Sequence, residues 1–268
     1  MNNYSVLMSV YIKENPVYLR NAIDSMLSQS LKADEIIVVE DGVLSNELYD
    51  VLDSYGELIR RIKLSKNVGL GLALNEGIRN AKNEIIARMD TDDISKRSRC
   101  EEQMNCFDSN PDLDIVGAWI DEFDSDVNNI VSTRKVPENL DEIYEYAKRR
   151  SAFNHPTVMY KKSSVLKFGG YSNLRRNQDV DLFGRMLFGG AKAYNIQKSL
   201  LLFRINTELS KRRKSWSNTK LYIKTIYNFW KIGYSKLSDL IIVAIAQFGL
   251  FIMPASVQNL IYKNLLRK

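Results

Sequence analysis

Glu84-Ile85-Ile86-Ala87-Arg88-Met89-Asp90-Thr91-Asp92-Asp93 is the stretch whose reading decides the fold. Its first six residues suit a buried strand, and its last four place three carboxylates where that strand meets solvent. Toward the N-terminus the same theme recurs. Ser5 to Tyr11 reads as a strand. Residues 16–30 carry Leu19, Ala22, Ile23, Met26 and Leu27 at helical spacing behind Pro16. Glu35 to Val39 is a second strand, running into Glu40-Asp41-Gly42. Residues 45–59 read as helix, Arg61 to Leu64 as a short strand and Gly71 to Ala81 as helix. This β-α-β-α-β-α-β alternation predicts an α/β chain with a parallel, doubly wound sheet. Such sheets bind ligands beyond the carboxyl ends of their strands. Three of those ends are polar here: Ser9/Tyr11, Glu40/Asp41 and Asp90/Asp92/Asp93.

Beyond the acids the pattern is less regular. It predicts a helix over 95–109, a strand over 114–120, a helix over 138–150 and a strand-like segment over 154–160. A short helix over 163–168 is closed by Gly169-Gly170, and a helix over 179–188 by Gly189-Gly190. A length of 268 residues allows one large domain, or one domain with an appendage. Cys100 and Cys106 provide neither a disulfide framework nor a metal spacing, and read as free thiols. Met1-Asn2-Asn3-Tyr4 lacks the basic region of a signal peptide, so the working parts are expected to face the cytoplasm.

Charge divides the chain. Residues 200–268 hold twelve Lys/Arg against Glu208 and Asp239, a net of +10, while the remainder is −4. A basic tail implies an anionic partner. The tail combines the run Lys211-Arg212-Arg213-Lys214, an amphipathic stretch with Trp216, Tyr222, Tyr227, Phe229 and Trp230, and an apolar run from Leu240 to Met253. That run is about 21 Å long as a helix at ~1.5 Å per residue, short of a bilayer core. An interfacial hairpin on an anionic membrane fits it better, and a helix packed on the main domain is the alternative. No recognised motif organises the basic residues for nucleic acid.

The acids point to chemistry. Alternate carboxylates in an extended turn suit magnesium or manganese, which neutralises charge on a diphosphate leaving group. The same four residues also suit a turn and a helix cap.

In order and spacing, five short motifs resemble those of the family 2 glycosyltransferases of the GT-A fold. They are Ser9-Val10-Tyr11, Val39-Glu40-Asp41-Gly42, Asn67-Val68-Gly69, Asp90-Thr91-Asp92-Asp93 (an Asp-x-Asp signature) and Asn177-Gln178-Asp179. The resemblance implies a nucleotide-sugar-binding catalytic domain over 1–206, with 207–268 as a helical, membrane-associated tail. It implies an inverting, metal-dependent hexosyl transfer from a UDP-sugar. The acceptor it implies is a polyprenyl-diphosphate-linked saccharide, for capsule, O-antigen or exopolysaccharide, at the cytoplasmic face of a bacterial membrane. By the same resemblance Ser9, Tyr11 and Asp41 hold base and ribose, with Asn67 in the adjoining loop. Asp90 contacts ribose or metal, Asp92 is the principal metal ligand, and Asp179 is the base that deprotonates the acceptor. His155, in Asn154-His155-Pro156, and Gly170, before Tyr171, are expected to line the pocket.

Three departures stand out. Gln178 replaces a frequent Glu. Leu74 stands where a phosphate-facing arginine is common, leaving Arg88 and Arg204 as candidates. Asn206 stands where many relatives have a histidine. Two rival readings remain: a nucleotidyltransferase, which would need a Gly-rich basic loop after the first strand, and a non-catalytic nucleotide-binding module, which would not need Asp179.

Overall fold

The computed structural model describes residues 3–124, 126–205 and 215–253. Asn206, the basic run 211–214 and residues 254–268 lie outside these described residues. The first half alternates as the pattern predicts: β1 (Tyr4–Val10), α1 (Pro16–Leu27), β2 (Glu35–Glu40), α2 (Asn46–Asp53), β3 (Arg60–Lys63), α3 (Leu70–Asn80) and β4 (Ile85–Arg88). Local chemistry sets the boundaries. The Asn15 side chain accepts the Val17 and Tyr18 N–H groups, and Pro16 follows it, so α1 begins there. β1 pairs in parallel with both β2 and β4, and β2 with β3. Side chains alternate across β1: Leu7 packs with α3 on one face, while Val6, Met8 and Val10 pack with α1 on the other.

The second half comprises β5 (Ile94–Ser95), α4 (Arg99–Ser109), β6 (Ile115–Phe123), β7 (Ile130–Arg134), α5 (Leu140–Ala147), β8 (Met159–Lys161), α6 (Lys162–Lys167), α7 (Gln178–Phe188), β9 (Ala193–Arg204), α8 (Trp216–Lys231) and α9 (Leu237–Ile252). The sheet order is β3-β2-β1-β4-β8-β6-β9-β5, with β7 beside β6. Parallel pairing dominates the first half, whereas β8 runs antiparallel to both β4 and β6. The helix expected over 95–109 begins only at Arg99, because Ile94 and Ser95 are drawn into pairing with Leu202 and Leu201. The strand-like segment 154–160 splits. Pro156 lacks an N–H for the ladder, so His155–Thr157 forms a 3-10 turn and pairing starts at Met159. β7 and β9 were not anticipated in the sequence.

The two C-terminal helices fold back onto the sheet domain. Ile226, Phe229, Tyr234 and Val243 join the core that contains α3 and α7. Tyr234 Oη donates to the Tyr144 carbonyl (2.9 Å), and Ser235 Oγ to that of Lys148 (3.0 Å). Tyr222 Oη donates to the Arg149 carbonyl (3.1 Å), and Arg149 pairs with Asp239 at 2.6 Å. Their outer face is apolar and exposed: Ile241 at 51%, Ile245 at 68% and Ile252 at 77%. Among the described residues, no helix is long and apolar enough to cross a membrane.

Phe229 fills a notch left by Gly184, where an added Cβ would lie 2.1 Å from the Phe229 ring. Phe229→Ala is therefore expected to cost about 3–5 kcal/mol and Gly184→Ala about 1–3 kcal/mol. Denaturant unfolding followed by tryptophan fluorescence checks this. A single transition moving as a unit is expected; separate melting of α8 at unchanged main stability contradicts a shared core.

Candidate active site

The strand register assembles the site. Ser9 pairs with Val39, and Leu7 with Arg88, so Ser9 lies level with the start of the acidic segment and with the end of β2. Tyr11 follows β1 half-buried, and Asp41 follows β2. The β2 acids have divided their work. Glu40 is buried and paired with Arg61 of β3 at 2.5 Å. The Asp41 carboxylate accepts from Asn67 Nδ2 (3.0 Å), Val68 N (2.6 Å) and Gly69 N (3.0 Å), tying down the loop before α3. Gly42 has φ +88, and a Cβ there would sit 2.7 Å from Asn67 N, so only glycine lets the two loops approach.

At the end of β4, Arg88 is fully buried and grips Asp90 with both arms of its guanidinium. Burial opposes its charge, but the Asp90 carboxylate more than offsets this and holds the pKa above the ordinary arginine value. Beneath it, Arg99 Nη2 donates to the Arg88 carbonyl at 2.6 Å. Asp93 accepts the Arg204 backbone N–H at 2.9 Å, and Arg204 Nε donates to the Asp92 carbonyl at 3.0 Å. The Arg204 guanidinium is stacked 3.9 Å from the Tyr18 ring centre and 4.5 Å from that of Phe123. Of the two candidate arginines, Arg88 thus serves Asp90, and Arg204 braces the acidic segment against β9.

Carboxylate oxygens of Asp90, Asp92 and Asp93 lie within 4.8 Å of one another. Burial, then the charge of Asp90, pushes Asp92 up to about 6. Burial, then Asp92 and Asp90, pushes Asp93 well above the usual carboxylate range. Asp93 Oδ2 is buried without a hydrogen bond. Three crowded hard-oxygen donors, mutually repelling and with Asp93 Oδ2 unbonded, fit a divalent cation such as manganese or magnesium. The Asp92 carboxylate, unlike those of Asp90 and Asp93, is neither clamped by an arginine nor bonded to the backbone N–H of a neighbouring strand.

The second acid stands apart. Asp179 is in the first turn of α7, after Asn177 in a left-handed conformation (φ 58). Burial pushes its carboxyl pKa up, against the Val180 N–H and the Arg88 and Arg134 charges. It lines a cavity of ≈ 560 Å³ whose opposite wall is α9. Gln178, beside it, is buried with its Oε1 unbonded.

Between the acids lies a polar core. His155 Nε2 is 2.8 Å from Tyr171 Oη. Burial, with the nearby Arg88 charge, pushes its pKa well below normal, so the ring is neutral at pH 7. Gly170 (φ +67) leaves room for Asn75, which exchanges hydrogen bonds with the Tyr171 N–H (2.8 Å) and carbonyl (2.7 Å). Arg185 Nη2 donates to the Gly170 carbonyl at 2.7 Å. Asn75 and Arg185 were not singled out in the sequence. The only signal for Arg185 was its place one helical turn after Asp181, to which it is paired at 2.9 Å.

The parallel half-sheet, the acids at its carboxyl edge and the separate acid on α7 fit a glycosyltransferase. Residues 5–174 match the family described as Glycosyl transferase family 2, and the chain belongs to that family. It is 34% identical, over 99% of its length and 97% of the relative's, to the UDP-Gal:alpha-D-GlcNAc-diphosphoundecaprenol beta-1,3-galactosyltransferase of Escherichia coli. It is 32% identical, with 85% of each chain covered, to the amylovoran biosynthesis glycosyltransferase AmsE of Erwinia amylovora. Among solved structures it resembles the mannosyltransferase PcManGT from Pyrobaculum calidifontis in complex with GDP-Man and Mn2+ (TM-score 0.64, 13% identity, covering 98% of this chain and 76% of that one). It also resembles S. aureus TarS 1–349 in complex with UDP-GlcNAc (TM-score 0.62, 14% identity, 98% and 73%). These likenesses show the GT-A fold.

The acidic cluster has a pH signature. A carboxyl whose pKa is raised on folding binds more protons in the native than in the unfolded chain. Metal-free stability should therefore rise as pH falls from neutrality through about 6. Cation binding needs the deprotonated acids. Manganese should thus raise the melting temperature clearly at neutral pH and progressively less below about pH 6. An equal gain at both pH values contradicts this.

Proposed function

We propose that the chain moves a sugar from a UDP-sugar to a lipid-linked saccharide, with inversion at the anomeric carbon, in the assembly of an O-antigen, exopolysaccharide or capsule. The observation that carries this is the pairing of two unlike acidic sites. One is a crowded triplet at the end of β4. The other is a lone carboxyl on α7 in a cavity wall. An inverting displacement needs both: neutralisation of a leaving diphosphate on one face and a base on the other.

Ser9, Tyr11 and Asp41, with the Asn67 loop, hold the base and ribose. Asp41 keeps that loop closed while offering remaining lone pairs to the base. Asp90 and Asp92 hold the divalent metal, which when bound supplies charge neutralisation for the departing UDP. Arg88 fixes Asp90 so that it cannot swing away, and His155 and Gly170 line the sugar's side of the pocket. Asp179 takes the acceptor hydroxyl proton as that oxygen attacks. Its raised pKa makes it a better base than an exposed aspartate. Likeness along nearly the whole chain to a galactosyltransferase makes UDP-galactose the first donor to test, and GlcNAc-diphospholipid the first acceptor.

The sheet domain through about residue 206 performs these steps, and the following helices attach it to the cytoplasmic face of the membrane. Trp216 stacks against Phe248 and Phe251, extending the exposed apolar face of α9. Deleting these helices would remove Ile226 and Phe229 and uncover the core surface of α7 that they cover, so point substitution is the cleaner test.

Transfer of galactose from UDP-galactose to a GlcNAc-diphospholipid, with manganese present, should fall about 10²–10⁴-fold in Asp179→Asn with UDP affinity retained. Asp92→Ala should lose both transfer and manganese-dependent UDP binding. Full turnover in Asp92→Ala sinks the proposal. In wild type, the acid limb of kcat/KM should lie above the ordinary carboxylate range, because the base must be ionised and burial raises its pKa.

For the membrane, Ile245→Asp with Phe248→Asp should reduce sedimentation with vesicles containing anionic lipid while leaving the melting temperature within a few degrees, since both side chains are exposed. Undiminished sedimentation rejects an α9 contact with lipid.

A further inference from the structure

We propose that the cavity beside Asp179 seats the diphosphate and first lipid carbons of the acceptor, with Arg134 and Arg150 holding the diphosphate and α9 receiving the chain. This rests on the reading of the chain as a transferase to a lipid-linked saccharide. The cavity has ≈ 560 Å³, enough for one sugar with a diphosphate. Its walls differ sharply. One carries Arg134, at the end of β7, and Arg149 and Arg150, just past α5. The facing wall is α9, through Ile242, Val243, Ala246 and Leu250.

The charges on the cavity wall are three arginines against Glu122 and Asp179. Arg149 is already engaged by Asp239 at 2.6 Å, from the start of α9. Arg134 Nη2 donates to the Ser151 carbonyl at 3.0 Å, which orients its guanidinium. Arg150 stacks 5.1 Å from the Tyr146 ring centre. Guanidinium groups fixed in this way suit phosphate oxygens, to which they can donate in pairs. A saccharide alone would need neither the cations nor the apolar wall. A nucleoside diphosphate would need groups for its base, and those gather at the other acidic site, around Ser9, Tyr11 and Asp41. A molecule with a sugar at one end, a diphosphate in the middle and a hydrocarbon beyond has a partner for each kind of lining: a carboxyl, guanidinium groups and an apolar helix face. Asp179 meets the sugar, the arginines meet the diphosphate, and α9 meets the chain. The Arg134 charge acts on Asp179, so diphosphate and reacting hydroxyl would lie within one electrostatic neighbourhood. The exposed outer face of α9 would let the chain continue into lipid without crossing the protein.

The test uses the full chain with UDP and manganese saturating the donor site, and undecyl diphosphate as the probe in calorimetry. Wild type should bind it, and Arg134→Gln with Arg150→Gln should weaken binding about 30-fold or more. Arg150→Lys should lose less, since the charge remains. Leu250→Ser should weaken undecyl diphosphate but not methyl diphosphate. UDP affinity, unchanged in every variant, shows that the fold is intact. Binding in the double variant equal to wild type overturns the proposal, as does displacement of the probe by added UDP. Transfer assays separate this from the underlying reading. Arginine-dependent probe binding without any sugar transfer keeps the cavity assignment and removes the transferase acceptor reading. Normal transfer with an unchanged acceptor KM in the double variant does the reverse.

Discussion

A buried guanidinium holds the site together. Arg88 sits at the end of a strand buried on both faces, and an unpaired charge there would cost several kcal/mol. Asp90 relieves it with a two-armed contact, and the Arg99 bond to the Arg88 carbonyl fixes the backbone that carries it. The consequences spread outward. Asp90 is locked in place, so Asp92 and Asp93 are held close to it and to each other. The same cation adds to the burial that keeps His155 neutral, and it lowers the cost of ionising Asp179. One positive charge thus acts on the acidic triplet, on His155 and on Asp179.

Much of this was visible along the chain, and the reasons are physical. The first four strands are short apolar runs ending in polar residues, a pattern with few foldings other than a parallel sheet with its polar ends on one edge. Asp41, Asp90 and Asp92 could be placed for that reason alone. What stayed hidden depended on pairing across long separations. β9 alternates too weakly to announce itself, yet it supplies the backbone N–H that holds Asp93. Ile94 and Ser95 look like the start of a helix until Leu201 and Leu202 claim them. Arg88 read as a candidate for phosphate because Leu74 stands where an arginine is common, and nothing local showed that Asp90, just past the strand, takes its guanidinium.

The C-terminal helices show a similar limit. Their composition, apolar with basic and aromatic flanks, reads equally as a membrane hairpin or as a packed helix pair. The structure divides the residues between core and surface. Ile226, Phe229 and Val243 enter the core, while Ile241, Ile245 and Ile252 stay exposed. Helical periodicity alone would have assigned those faces only if the partner surface had been known. That surface is made by Gly184 on α7 and by the carbonyls at the end of α5, neither of which announces itself locally.

This division gives the hairpin a second consequence. Because α9 is pinned by Arg149, Tyr234 and Ser235 rather than floating on a linker, its inner face is a fixed wall of the cavity that contains Asp179. On the proposed function, a membrane-facing element and the wall of the acceptor cavity would be opposite sides of one helix, about 10 Å across. An amphiphilic acceptor anchored in lipid would then not have to be extracted to react. It would need only to present its head group over the edge of α9, beside the arginines and Asp179. Such a fold would couple substrate solubility to geometry: the shorter the path from lipid surface to base, the less hydrocarbon is exposed to water during transfer.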